Sequence, residues 1–541
     1  MDAEPALPGA DGLRFADALP YPSRREPVYG DEVVATSHPL AVQAGMAQFE
    51  AAGNAVDAAL AAAIALSVVE PTNNGVGGDL FALVWDGAQV HGLNASGWSP
   101  AQWTRERFSG HVRMPSEGWD AVTVPGQVAG WAALHARFGR RPFASLFEPA
   151  LRHATQGFAV SPGVAAKWAL HAPRLAGQPG FAAAFLPAGR PPRTGERFAL
   201  PALAASLRAI AASRGDEFYC GALARRMVAH ARAQGAAHTE EDFAAYAPRW
   251  DAPLAQPVAD CEVLELPPNG QGLAALQALG LLEARRAEWP STVDEARTLH
   301  WWIEATKLAL ADLYAHVADP AAMRIDPQAL LAPEYLRRRA ALIDPERARH
   351  PRSGLPGGGT VYLAAADRAG CMVSLIQSNY EGFGSGVVVP DTGIALHNRG
   401  ATFSLEPGHP NCVGPRKRPL HTIIPGMVRR GGRAQMAFGV MGGPIQPQAH
   451  VQVVMRMLAY GQNPQAALDA PRWRILPGRG LYLEPHFAPA WRTGLAALGH
   501  EIVPVPDATL EFGAGQVVWR LPGGGWGAAS DPRRDGHAAA R

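Results

Sequence analysis

This 541-residue sequence predicts a layered α+β fold. Three observations carry the prediction: alanine-rich helical patterns dominate the first two-thirds, short apolar runs bounded by glycine and proline fill the last third, and the two are separated by "IDPERARHPRSGLPGGG", which has no apolar period. Taken in order, residues 1–33 are rich in proline and charge and read as an arm on the surface. "GNAVDAALAAAIALSVVEP" reads as a buried helix, because alanine is the best helix former and Pro71 stands just past its end. "LFALVWDG" is a strand. Residues 127–250 and 270–345 read mostly as helix; in "LHWWIEATKLALADLYAHV" Trp301, Ala305, Leu308 and Leu313 recur at helical spacing. Past the separator, "TVYLAAAD" and "CMVSLIQS" flank the turn "RAG", and "GFGSGVVVP", "GIALHN", "TIIPGMV" and "AQMAFGV" are further short strands. The helix "QAHVQVVMRMLAYG" packs on them. No internal repeat is present.

With 48% apolar and 18% charged residues the chain can bury a large core, and length alone allows two to four domains. The net charge is +1 with both signs interspersed, which argues against nucleic-acid and anionic-membrane partners and for a small-molecule substrate. Cys220, Cys261, Cys371 and Cys412 are scattered without CxxC spacing, as reduced thiols would be. The N-terminus lacks the basic start and apolar run of a signal peptide, and the longest apolar run contains Asp57 and is too short for a span, so a cytoplasmic protein is expected. The 18 histidines include no HExxH and no HxH, and "GVGGD" (75–79) lacks the lysine of a phosphate loop. "GFGSG" around Ser385 lacks the spacing of a nucleophile elbow. Neither metal nor other cofactor is expected.

The chemistry begins at "GGGT". A threonine hydroxyl is a poor nucleophile unless a base adjoins it, and a threonine made N-terminal carries its own base, an α-amine with an ordinary pKa of about 7.7–8.0. The chain must then be cut before Thr360. Glycines tolerate the backbone angles that bring the Gly359 carbonyl against the Thr360 hydroxyl, so that the threonine can attack its own peptide bond.

Val34 to Gly87 resembles the opening of the gamma-glutamyltransferase family of self-processing N-terminal-nucleophile hydrolases. The resemblance continues in order through "AVTVPGQVAGW", "HTEEDFAAY", "ELPPNGQG", "IEATKLALADLYAHVADP", "FGSGVVVPDTGIALHN", "GPRKRPLHTIIP", "MGGPIQPQ" and "SDPRRDG". It implies a four-layer αββα sandwich that splits at Gly359–Thr360 into a large subunit (34–359, preceded by the arm) and a small one (360–541). Thr360 would be the nucleophile, Ser378 the hydroxyl that hydrogen-bonds it, and Gly442 and Gly443 the amides of an oxyanion hole. Asn398 resembles a substrate-contacting asparagine, and Thr422 stands where a hydroxyl binds the glutamyl carboxylate. The implied activity is hydrolysis of gamma-glutamyl compounds such as glutathione, favoured over acyl transfer. The implied partners are an amide substrate and the two subunits themselves, with pairing of heterodimers left open.

Three departures put the substrate in question. Asp120 stands where the family has an arginine for the α-carboxylate, and an acid would repel that group. Thr402 stands where an acid binds the α-amine, and Arg399 where a neutral residue is usual. "PGHPNCVGPRKRP" leaves no room for a lid loop, and an open pocket favours water over an amino-acid acceptor. The combination resembles the lid-less cytoplasmic branch, with its oxamate amidohydrolase and cephalosporin acylase relatives. The alternative substrate is therefore a non-gamma-glutamyl amide, with Arg399 as grip for a carboxylate or as a structural ion-pair member. An unprocessed, non-enzymatic binding homologue is the third reading. His421 is either a partner behind the pocket or a packed ring.

Overall fold

In the computed structural model, residues 13, 15, 21, 25–349, 359–506 and 511–541 are described. The alanine run forms the helix Ala55–Val69, in which all fifteen residues are buried. Its start is fixed by a capping box: the Asn54 side chain accepts from the Val56 and Asp57 amides while Asp57 accepts from the Asn54 amide. Small side chains all round let the helix be enclosed on every side.

Two seven-stranded sheets, each antiparallel throughout, lie beneath and beyond it. The first runs His537–Ala540, Val33–Thr36, Gly359–Ala366, Met372–Tyr380, Asp79–Trp85, Val90–Ala95, Arg249–Asp251. The second runs Val28–Gly30, Trp526–Ser530, Ala514–Arg520, Arg433–Met441, Gly426–Arg430, Cys261–Glu265, Leu254–Val258. Strand alternation sorts the core into layers. Leu80, Ala82, Val84, Val361, Leu363 and Ala365 face the helices over the first sheet. Their neighbours Phe81, Leu83, Tyr362 and Ala364 meet Met427, Ala437 and Val518 of the second sheet. Met436, Phe438 and Val440 face the helices Gly272–Glu283 and Ala296–His316 on the far side. The result is the four-layer αββα sandwich expected.

The strand starting at Gly359 lies in the middle of the first sheet, between Val33–Thr36 and Met372–Tyr380. Residues on both sides of Gly359 contribute strands to both sheets, so a cut there would leave two interleaved chains.

Local expectations fare unevenly. "GFGSGVVVP" and "GIALHN" supply only the short pairing of Val388–Val389 with Ile394–Ala395, outside both large sheets. The C-terminal strands Ala514–Arg520 and Trp526–Ser530 escaped the pattern because both are buried on both faces and contain glycine, and His537–Ala540 because its alanines carry no β signal. Much of the expected arm, and residues 350–358 of the separator, lie outside the described residues. The described arm positions are docked: Leu13 is buried against the second helical layer, Arg25 reaches Ser530 Oγ at 3.0 Å, and Val28–Gly30 pairs with Trp526–Ala528. Among the described residues all four cysteines are free, and no helix is long and apolar enough to cross a membrane.

Four enclosed histidines make the fold sensitive to acid. Burial pushes His38 and His238 down to about 4, and His421 and His450 down to about 3, from an ordinary 6.5. Below pH 6.5 the unfolded chain takes up protons that the folded rings refuse. Each contribution is therefore full above pH 6.5 and is lost as pH falls toward the folded value. At pH 5 the loss is on the order of 2 kcal/mol per ring. Denaturant midpoints should decline steadily from pH 7.5 to pH 5; a flat profile would contradict neutral buried rings.

Candidate active site

Gly359 pairs with Tyr380 and Val361 with Gln377, so the strand opposite Thr360 holds one residue more. Such a bulge re-aims side chains. It brings Ser378 to Thr360, which is fully buried: Thr360 Oγ1 donates to Ser378 Oγ at 3.3 Å, and Ser378 Oγ accepts the Tyr380 amide at 2.7 Å. Gln446 Nε2 donates to Thr360 Oγ1 at 3.2 Å. The hydroxyl proton thus points to Ser378, one lone pair is taken by Gln446, and the other is left for chemistry. Tyr380 closes the bulge at φ 76°, a left-handed angle rare for a bulky side chain.

Gln446 begins the helix Gln446–Val454, and the turn before it carries Gly442 (φ 136°) and Gly443 (φ 70°). A Cβ on Gly442 would meet Ile445 Cγ2 at 2.7 Å and Gly513 Cα at 2.9 Å, so only glycine fits. Gln271 Nε2 ties this turn to the next loop, donating to Gly443 O at 3.0 Å and Thr422 O at 2.6 Å.

Beside it lies an enclosed cation. Arg399 is fully buried; its Nη1 donates to Thr422 Oγ1 at 2.8 Å, its guanidinium lies 4.4 Å from the Tyr380 ring centre, and Nε and Nη2 have no partner among the described residues. Burial pushes its pKa down to about 10, and the nearby Asp79 opposes that fall. Asn398 Nδ2 donates to Ser116 O and to Glu381 Oε2, both at 2.9 Å. Asp79 is also fully buried: burial would raise its pKa, but His397 and His421 outweigh it and hold the carboxyl below the usual range.

The structure therefore brings Thr360, Ser378 and the Gly442–Gly443 turn together through Gln446, and Arg399 and Thr422 into direct contact. Two expected site residues are differently engaged. Asp120 pairs with the half-exposed Arg107, at 3.0 Å from Nε and 2.8 Å from Nη2. Thr402 bonds Arg399 O at 2.8 Å and borders a separate cavity of about 540 Å³ with Phe108, Phe403 and His409. Gln446, Tyr380, Gln271, Glu381 and Asp79 were not singled out as site residues. Gln446 sits inside the quoted "GGPIQPQ", and its place after tandem glycines is the one local signal available.

Residues 41–541 match the profile of the gamma-glutamyltranspeptidase family. The chain is 38% identical over 517 residues to the oxamate amidohydrolase proenzyme of Klebsiella pneumoniae, spanning 93% of this chain and 97% of that one. It is 37% identical to a glutathione hydrolase-like proenzyme of Bacillus subtilis, spanning 94% and 98%. Its fold superposes on the crystal structure of cephalosporin acylase from Bacillus halodurans with a TM-score of 0.92 at 44% identity, spanning 97% and 98%.

The packing around Gly442 yields a comparison of two glycines. Gly431 also has positive φ, at 56°, but nothing lies within 4 Å of its Cβ position. Gly431→Ala should cost about 1 kcal/mol and Gly442→Ala about 3 kcal/mol or more in denaturant unfolding, because strain and a backbone clash add only at the second. Equal costs would contradict the close approach.

Proposed function

The chain belongs to the gamma-glutamyltranspeptidase family, and we propose that it is an N-terminal threonine amidohydrolase that cuts itself before Thr360 and then hydrolyses a small amide whose acyl part bears a carboxylate. In self-processing, Thr360 Oγ attacks the Gly359 carbonyl carbon, the C–N bond breaks, and the hydroxyl proton passes to the freed nitrogen. Water then cleaves the resulting ester, leaving Gly359 as a carboxylate and Thr360 with a free α-amine. In turnover that amine accepts the hydroxyl proton as Oγ attacks the substrate carbonyl, and the departing amine takes the proton away. Water hydrolyses the acyl ester and regenerates Thr360. Gly442 and Gly443 are the proposed amide donors to the developing oxyanion, a role worth about 3 kcal/mol per donor. Ser378 and Gln446 fix the hydroxyl in its attacking direction.

Arg399 carries the substrate assignment. A guanidinium with two unpartnered donors is costly to bury, and those donors form a fork that suits a carboxylate. No salt bridge to Arg399 is formed among the described residues. Oxamate, the substrate in one relative's name, is an amide with a carboxylate directly on its carbonyl carbon, and the acylase likeness points to the same class of reaction. A gamma-glutamyl substrate is the second reading. It rests on Glu381, whose carboxylate Asn398 holds next to Arg399 and which could receive an α-ammonium.

Denaturing electrophoresis tests the processing step. Scaling the 57.3 kDa chain by length, 359 and 182 of 541 residues, gives bands at about 38 and about 19 kDa, and Thr360→Ala should remain a single band. A wild type that stays uncut for days would refute self-processing. Product release from oxamate and glutaryl amides against gamma-glutamyl-p-nitroanilide decides the substrate. Turnover of the gamma-glutamyl compound alone would favour the second reading.

A further inference from the structure

The motif "GVGGD", set aside as a phosphate loop, has an acid that no step above uses. Asp79 opens the strand Asp79–Trp85 in register with Ser378. Its Oδ1 accepts the amides of Gly97 and Gly126, each at 3.0 Å. Its Oδ2 accepts His421 Nε2–H at 2.9 Å and lies 3.4 Å from His397 Nδ1. His397 is fixed on its other side by Thr123 O, at 2.8 Å from Nε2. The glycines serve close approach: a Cβ on Gly77 would meet Ala395 O at 2.4 Å, and the Gly77 carbonyl accepts the His397 amide at 3.0 Å.

Each ring leads into a site loop. His397 precedes Asn398 and Arg399; His421 precedes Thr422. The loops meet again where Arg399 Nη1 donates to Thr422 Oγ1. One buried carboxylate thus bonds the ring before Thr422 and abuts the ring before Asn398 and Arg399 from behind, and the Arg399–Thr422 bond joins the two loops in front.

We propose that Asp79 is a positioning residue and the buried counter-charge for Arg399, holding the two loops that present the guanidinium to the substrate's carboxylate. The proposal rests on the assignment of Arg399 to that carboxylate. The carboxylate's symmetry is what the position demands, since all its neighbours on Oδ1 and His421 on Oδ2 are donors. Asparagine keeps the shape but must aim its NH₂ at one of them. If it faces His421, the ring must switch tautomer, and Nδ1 then opposes the Ile423 amide that now donates to it at 3.3 Å. The counter-charge for Arg399 goes with it.

The test compares wild type, Asp79→Asn and Arg399→Met, each confirmed as folded and cut, on glutaryl-p-nitroanilide and on pentanoyl-p-nitroanilide, which has the same chain length without the carboxylate. Both variants should raise KM tenfold or more for the glutaryl amide, with KM and kcat for the pentanoyl amide changed less than threefold. His421→Leu, which removes the link but keeps the acid, should raise the glutaryl KM in the same selective way, and it stands in if Asp79→Asn does not fold. Equal losses on both substrates mean that Asp79 only supports the fold, and they overturn the proposal. A selective loss in Arg399→Met without one in Asp79→Asn or His421→Leu overturns it while leaving the Arg399 assignment intact. No selectivity in Arg399→Met removes that assignment and the proposal together. If the wild type cleaves neither amide, calorimetric binding of free oxalate carries the same comparison, and no wild-type binding overturns the proposal.

Discussion

The site depends on one constraint: Thr360, the proposed nucleophile, is buried in a central strand and not at the edge of the fold. Its strand is central in a sheet covered on both faces, so the hydroxyl is held from both sides. Apolar packing supplies that rigidity: Val361, Leu363 and Ala365 are anchored under the helices, and Tyr362 and Ala364 against the second sheet. The bulge opposite Thr360 then does what a regular ladder could not. It places Ser378 Oγ and the positive-φ Tyr380 at one point, and Tyr380 in turn provides the ring on which Arg399 rests.

Burying charge beside that strand is expensive, and the structure offsets the cost by sharing. Asp79 is surrounded by donors, two of them backbone amides that carry no entropy cost of their own to hold. Its hydrogen-bonded ring partner, His421, can donate while neutral. His421 donates through Nε2 and accepts through Nδ1, which agrees with a pKa pushed down to about 3, first by burial and then by Arg399. Arg399 is the less satisfied partner, with one of its nitrogens bonded to Thr422 and two unpartnered. An asymmetry of this kind, a well-held anion behind a poorly held cation, directs the remaining hydrogen-bonding capacity toward the substrate side.

How much of this was readable in the sequence depends on distance along the chain. Thr360, Gly442 and Gly443 stand in short motifs whose local backbone demands glycine or a strand start, and the pairing of Thr360 with Ser378, 18 positions on, follows from a single hairpin. The layers were legible for a similar reason, since helical and strand periods are local. Asp79 and His421 are 342 positions apart, and nothing in either segment announces the other. Asp120 shows a smaller gap of the same kind, since nothing in the sequence announces its partner Arg107, whose Nε and Nη2 both donate to its carboxylate. The contacts of the arm were not legible because proline and charge mark the absence of a period, not the absence of contacts; Leu13 and Arg25 dock individually.

The missing lid connects these points. The short "PGHPNCVGPRKRP" connection is stapled in place: Asn411 bonds Thr402 O and the Leu420 amide, and Lys417 Nζ bonds the carbonyls of Pro410 and Cys412. A segment held by so many of its own carbonyls gains little by moving over a substrate. Specificity must then come from fixed groups, which favours a small acyl part read by one charge over a large one enclosed by closure. Among the described residues this connection supplies fixed groups rather than a cover, the arrangement that the proposed hydrolysis calls for, since an open site admits water to an acyl ester.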